Sequence, residues 1–241
     1  MIDCSIILPA FNEEAFLPES LKALHAALNA DGVIAQIIVA DNDSTDKTAS
    51  LAKELGAEVV HEPIRQIARA RNAGAAQASS ELLIFIDSDT LVRPGLIIQA
   101  LQQLKSGSVV AGGASMELDR GSPSSQKAVR AWNRIGAKLK LAAGSFFFCR
   151  RDAFEACGGF PEGVYASEEI WLMKRLKAWG RKNNMGVSIL SSPAVITSGR
   201  KFEWFPPWAI LLQLGLFALL PFLCRFRWCC FLWYFRPKNS V

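Results

Sequence analysis

The chain has 241 residues, enough for one globular domain with a substantial core and too few for two large ones. Just over half of it is apolar (51%), and a dense aliphatic and aromatic stretch runs from Trp204 to Phe235. The net charge of +5 arises after Gly199, where Arg200, Lys201, Arg225, Arg227, Arg236 and Lys238 oppose only Glu203; the preceding residues balance to zero, which argues against nucleic acid as a partner and for a membrane surface beside the apolar run.

Short apolar runs alternate with helix-periodic segments, which predicts an α/β fold: a single mixed, mostly parallel sheet flanked by helices, with an apolar helical tail. Residues 4–8 read as a buried strand. Leu17, Leu21, Leu24 and Leu28 then recur at helical spacing, with Pro18 tolerated in the first turn. A second strand over 36–40 leads to a helix over 45–55, which Gly56 is suited to cap. A weaker strand at 58–61, a small-residue helix at 68–78 and the most apolar strand, 82–86, follow, and then a turn and a helix led by Pro94. Further on come strands at 109–113 and 145–149, and helices at 124–139, 152–157 and 168–179. Lys127, Arg130, Arg134 and Lys138 form a stripe on the first of these helices, opposite Ile135 and Leu139, and read as a solvated face or one turned to anionic lipid.

The six cysteines form no CxxC pair and suggest no zinc site. Cys4, Cys149 and Cys157 are expected to be buried; Cys224, Cys229 and Cys230 fall in the apolar tail. No secretory signal is read at the amino terminus, so the catalytic part is expected to face a cytoplasm.

Ligands of open α/β sheets bind beyond the carboxyl ends of the strands, and three of these ends are acidic here. The first continues into Pro9-Ala10-Phe11-Asn12-Glu13-Glu14, the second into Asp41-Asn42-Asp43-Ser44-Thr45-Asp46, and the fourth into Asp87-Ser88-Asp89. Each alone has a plain structural reading: acids at a helix start, an N-cap, a turn. Carboxylates clustered where a sheet opens repel one another, so three such ends in succession point to a ligand or a metal.

These segments, with RARNAG at 69–74, GSFFFCRRDAFEACGGF from Gly144 and SEEIWL from Ser167, resemble in their order the family 2 glycosyltransferases, which have a nucleotide-binding A-type fold. The resemblance implies an inverting transferase that moves a sugar from a nucleoside-diphosphate sugar, UDP favoured over GDP, to an acceptor hydroxyl or phosphate. It implies that Pro9, Ala10, Asn12 and Glu14 line the nucleobase and ribose pocket and that Asp41 accepts hydrogen bonds from the base. Arg65 and Arg71 would lie on the sugar-nucleotide side, with a surface ion pair as the alternative for either. Asp87, Ser88 and Asp89 would hold the diphosphate, with Asp89, joined by Asp87, as ligand to Mg²⁺ or Mn²⁺. Many relatives add a histidine from far downstream. This chain has only His25 and His61, and Arg200 or Lys201 is available to offset the diphosphate charge instead. Glu168-Glu169 occupies the place of the general base. Glu169 is favoured, although the family more often has Glu-Asp there. Three adjacent phenylalanines, 146–148, must point to both faces of their strand. Trp171 is expected to serve core packing more than stacking on a sugar.

The division expected is a catalytic domain over 1–201 and a membrane-associating tail over 202–241, at the cytoplasmic face of a membrane. The tail run approaches the ~20 residues that a spanning helix needs. Pro206, Pro207, Pro221 and Gln213 interrupt it, and Trp204, Trp208, Trp228 and Trp233 suit an interface, so a span and an interfacial segment both remain open. Such a tail suits a lipid-linked acceptor, and a homo-oligomer is left open. Two rivals are a sugar-1-phosphate nucleotidyltransferase, which would carry a glycine-rich basic loop after the first strand, and a degenerate nucleotide-binding membrane anchor, which would not need Asp41, Asp87, Asp89 and Glu169 intact.

Overall fold

The computed structural model describes residues 2–235. In chain order its elements are β1 (Cys4–Ala10), α1 (Leu17–Asp31), β2 (Ala35–Asp41), α2 (Thr48–Glu54), β3 (Glu58–His61), α3 (Ile67–Gln77), β4 (Leu82–Ile86), β5 (Thr90–Leu91), α4 (Leu96–Lys105), β6 (Val109–Leu118), α5 (Pro123–Leu139), β7 (Phe146–Arg150), α6 (Arg151–Ala156), α7 (Glu168–Lys182), β8 (Gly186–Thr197), α8 (Arg200–Trp204), α9 (Pro207–Leu219) and α10 (Phe231–Tyr234). The strands form one sheet in the order β3-β2-β1-β4-β7-β6-β8-β5. β1 to β4 are mutually parallel, as are β6 and β8; β7 runs antiparallel to β4 and β6, and β5 to β8. This is the mixed, mostly parallel sheet that the sequence predicts.

Every residue of β1 and β4 is buried, as strands covered on both faces require. On one face the leucines of α1 and Leu96, Ile97, Leu101 and Leu104 of α4 pack with Phe146 and Phe148. On the other, Ala68 and Ala75 of α3, Phe154 of α6, and Leu172, Met173 and Leu176 of α7 pack with Phe147. The phenylalanine triplet thus divides between the two cores, as the period of two demands.

The chain runs outward from β1 through β2 to β3, then returns to place β4 on the other side of β1. The sheet therefore changes direction between β1 and β4, the switch point where α/β folds open a crevice at the strands' carboxyl ends. Pro9-Ala10 and Asp87-Ser88-Asp89 both emerge there.

Several boundaries differ from the sequence expectation. α2 begins at Thr48 because residues 42–47 are engaged with the loop after β1, and Asp46 Oδ1 accepts from the Thr48 amide at 2.9 Å to start the helix. β6 extends to Leu118 and pairs with β8, a strand that the sequence pattern does not reveal. On α5 the basic stripe is exposed, and so are Ile135 and Leu139, expected on the packed face.

The tail is not one helix. α9 has 13 residues, ~20 Å at the ~1.5 Å rise of an α-helix, against a hydrocarbon core of ~30 Å. Among the described residues no helix is long and apolar enough to cross a membrane. Short 3₁₀ turns at Pro221–Arg225 and Arg227–Cys229 fold the chain back into α10. Phe217, Cys224 and Cys230 then pack on Val164 and Ala166, flanked by Tyr165, Trp171 and Trp233. The Tyr165 amide donates to the Cys224 carbonyl at 2.6 Å. Trp171 accordingly packs between α7 and the tail. Outward, Trp208, Leu212, Leu216 and Leu219 follow one another at helical spacing and are exposed, Leu219 by 81%. Arg236 and Lys238 lie outside the described residues.

Candidate active site

The loops after β1 and β2 are joined side by side. Asn12, at φ 50°, donates its amide to Ser44 Oγ at 2.9 Å and accepts from the Thr45 amide at 2.8 Å. The Glu14 amide donates to Asp46 Oδ2 at 3.1 Å, and Glu14 Oε2 accepts from the Lys47 amide at 3.0 Å. Asn12 and Glu14 therefore bind the 44–47 loop, and neither lines the cavity beyond the sheet. Phe11 and Glu13, between and beside them, face that cavity with Pro9 and Ala10.

Asp41 ends β2 level with Ala10 and His61 in the neighbouring strands. It is buried; Oδ2 lies 3.5 Å from His61 Nδ1, and Oδ1 has no hydrogen-bond partner. Next to it, Asn42 Nδ2 donates to the carbonyls of Glu62 (3.0 Å) and Ile64 (2.7 Å). That fixes the loop carrying Arg65, whose guanidinium lies 3.5 Å from the centre of the Phe11 ring. His25 is engaged by another segment: its Nε2 meets the Leu55 carbonyl at 3.0 Å.

Arg71, on α3, is fully enclosed and ties together two acidic segments. Its Nη2 donates to Asp87 Oδ1 at 2.8 Å and to the Gly144 carbonyl at 3.4 Å, and its Nη1 donates to Glu168 Oε1. A side chain at position 144 would meet Nη2 at 2.5 Å, so glycine there is what lets the guanidinium pass. Burial disfavours the Arg71 charge, but Glu168 and Asp87 more than offset this and raise its pKa. Asp89 points the other way, to Arg200 at 3.0 Å, and Arg200 forks onto Glu13 at 2.7 and 2.8 Å.

Five carboxylates (Glu13, Asp87, Asp89, Glu168, Glu169) thus share two guanidiniums and the nearby Lys201 ammonium, two positive charges short of neutrality when all are ionised. The proton equilibria reflect this. Asp89 is pushed up to about 6 by burial, with Arg200 opposing and Glu13 adding to the rise. Glu169 is pushed up to about 8 by burial and by Glu168. Glu168 is also raised by burial, against the pull of Arg71. Glu168 is committed to Arg71, whereas the partly buried Glu169 carboxylate makes no ion pair among the described residues.

A cavity of about 120 Å³ lies at this edge. Pro9, Ala10, Arg65 and Asp87-Ser88-Asp89 line it from the sheet side, Arg200, Lys201 and Trp204 from α8, and residues 232–235 of the tail close it. Asp41, Arg71, Glu168 and Glu169 do not line it. Pockets for drug-sized ligands run to ~300–1,000 Å³, so a larger ligand here must move the tail residues aside. Among the described residues no three His, Cys, Asp or Glu side chains gather as a ready metal site. Asp87 and Asp89 nevertheless offer the hard oxygens that Mg²⁺ or Mn²⁺ takes, and such ions commonly bind through one or two carboxylates with substrate phosphates completing the shell. The shortfall of positive charge fits that donor set. Glu13, Phe11, Asn42, Trp204 and the tail residues were not singled out as pocket residues by the sequence; the first three were hinted at by lying inside the acidic segments 9–14 and 41–46.

A family model described as glycosyl transferase family 2 matches residues 5–158. An uncharacterized glycosyltransferase of Mycobacterium tuberculosis is 35% identical over 103 residues, 43% of this chain and 44% of the relative. A dolichol-phosphate mannosyltransferase of Pyrococcus furiosus is 30% identical over 118 residues, 46% of this chain and 32% of that one. The matches thus span less than half the length of these relatives. Among solved structures, a mannosyltransferase of Pyrobaculum calidifontis in complex with GDP-Man and Mn²⁺ superposes with a TM-score of 0.66, at 17% identity, over 95% of this chain and 73% of that one. At that identity the likeness speaks for the fold.

Proposed function

The chain belongs to glycosyl transferase family 2, and from that premise we propose that it transfers a sugar, with inversion, from a nucleoside-diphosphate sugar to a lipid-linked acceptor at a membrane surface. UDP is the first nucleotide to test and GDP the second. The observation that carries the reading is the acidic edge itself: Asp87 and Asp89 at the switch point, with Glu169 beside the Arg71–Glu168 pair.

In this reading the nucleobase lies against Pro9 and Ala10, and the unpartnered Asp41 Oδ1 accepts from a ring N–H. Arg65, stacked on Phe11, bounds the nucleotide side. Asp89, with Asp87, holds a Mg²⁺ or Mn²⁺ ion, which when bound supplies the positive charge that stabilises the nucleoside diphosphate as leaving group. Arg71 fixes Asp87 and neutralises Glu168, which leaves Glu169 as the base. Glu169 takes the proton of the acceptor hydroxyl as its oxygen attacks the anomeric carbon, and the bond from that carbon to the diphosphate oxygen breaks in the same displacement. A carboxylate with a pKa near the working pH is well matched to this task. A phosphate acceptor is already ionised at neutral pH and would not need it.

The tail from residue 202 onward lies on the membrane in this account. The exposed face of α9, with Trp208 and Leu219, enters the interface, and Arg225 and Arg227 meet anionic headgroups. That places the catalytic part, 1–201, at the cytoplasmic face beside a lipid-linked acceptor, in keeping with the dolichol-phosphate relative. The test is release of nucleoside diphosphate from a panel of UDP- and GDP-sugars with a lipid fraction as acceptor. Release that needs both a divalent cation and Asp89 supports the reading. Release from no sugar, or release that survives both chelation and Asp89→Asn, rejects it.

A further inference from the structure

Arg200 is built into the site from a distance. Leu118 of β6 pairs with Thr197 of β8, and Asp119 Oδ1 then accepts from the Gly199 amide at 2.7 Å. Any side chain at 199 would collide with the Arg120 carbonyl oxygen, so the backbone that launches Arg200 is closely fixed. The Arg200 side chain is only 8% exposed, and its guanidinium lies 4.6 Å from the Phe16 ring centre and 5.4 Å from that of Trp204. Both terminal nitrogens fork onto Glu13, and Nη2 also lies 3.0 Å from Asp89 Oδ2 in an ion pair.

The two contacts are not equivalent. The Glu13 fork is bidentate and buried, and holds the guanidinium in place without help. The Asp89 contact is single and opens on the cavity. A divalent cation placed on Asp89 would stand within a few ångströms of the guanidinium, where like charges repel strongly in a partly buried site. The guanidinium would lose its ion pair with Asp89, and a new anion within its reach would be the incoming diphosphate, a strong partner for a guanidinium.

We propose that Arg200 is a place-holding cation: it occupies Asp89 in the donor-free protein, yields Asp89 to the divalent ion, and binds the donor diphosphate while Glu13 keeps hold of it. The proposal rests on the reading of Asp89 as cation ligand. It makes cation and nucleotide mutually supportive, because neither alone recovers what Arg200 loses at Asp89. It also assigns to an arginine the role opposite the diphosphate for which the chain has no nearby histidine.

The test is Mn²⁺ binding followed by electron paramagnetic resonance, with and without UDP or GDP, on the full chain. For wild type, Mn²⁺ alone should bind weakly and the nucleotide should tighten it by about 30-fold, within the usual range of site–site coupling. In Arg200→Gln, Mn²⁺ alone should bind about 5-fold or more tighter, and the nucleotide should add only a few-fold. Arg200→Lys, which keeps the charge but cannot fork onto Glu13, should fall between the two, and decides the matter if the glutamine variant does not fold. Folded variants whose Mn²⁺ affinity equals or falls below that of wild type, with the nucleotide coupling intact, would overturn the proposal alone. Absence of Mn²⁺ binding by wild type even with nucleotide would remove the metal reading, and this proposal with it.

Discussion

Replacing Glu169 by glutamine tests the base in two independent ways. The Glu169 carboxyl stands at about 8, against an ordinary value of 4.5, because of burial and the adjacent Glu168. At ~1.4 kcal/mol per pKa unit the whole shift would amount to ~5 kcal/mol, and solvent reaching the partly exposed side chain reduces this to roughly 2 kcal/mol. A carboxyl whose pKa is raised on folding binds more protons folded than unfolded between the two values. Stability therefore falls as pH rises through that window. Glutamine does not ionise, so Glu169→Gln should match wild type near pH 4.5 and exceed it by roughly 2 kcal/mol at pH 9, a gain of ~4–8 °C in melting temperature for a domain of this size. Thermal unfolding at the two pH values measures it. In parallel, turnover on a hydroxyl acceptor should drop by ~10²–10⁴ while donor affinity is kept. A melting difference that does not change with pH, or turnover on a hydroxyl acceptor within a few-fold of wild type, would refute the assignment.

Arg71→Met removes the cation shared by Asp87 and Glu168 and leaves buried acids unpaired. Unfolding in urea should show a loss of ~3–5 kcal/mol at neutral pH. Because Asp89 titrates at about 6, metal-dependent donor affinity should be constant above that value and fall by about tenfold per unit below it; a flat profile from pH 5 to 7 would contradict its role. Trp208→Ser with Trp228→Ser removes two exposed rings, 68% and 78% accessible, and should weaken sedimentation with anionic vesicles by ~10-fold or more, without changing the folded domain's melting.

The parts of the fold that were legible in the sequence are those dictated by local pattern. β1 and β4 are uninterrupted apolar runs because both of their faces are covered, and Phe146, Phe147 and Phe148 alternate between cores because a strand has no other choice. The acidic strand ends were visible for the same reason. β8 was not: Ser188, Ser191, Ser192 and Pro193 break any alternation, and its pairing with β6 shifts register twice. Asn12 and Glu14 look like pocket residues until the 44–47 loop is seen to take their hydrogen bonds. Arg200 meets Glu13 across 187 positions of sequence, a pairing that no periodicity encodes. The fold-back of the tail onto Tyr165 and Trp171 is likewise a long-range packing solution, for which the sequence shows only the apolar content.

Calorimetric titration of UDP- and GDP-sugars into the protein with Mn²⁺, with chelator, and with Asp89→Asn tests whether Asp89 and a divalent ion together hold the donor. One of the sugar nucleotides should bind wild type in Mn²⁺, and chelation or Asp89→Asn should weaken this by ~30-fold, about 2 kcal/mol. Equal affinity under all three conditions would contradict it.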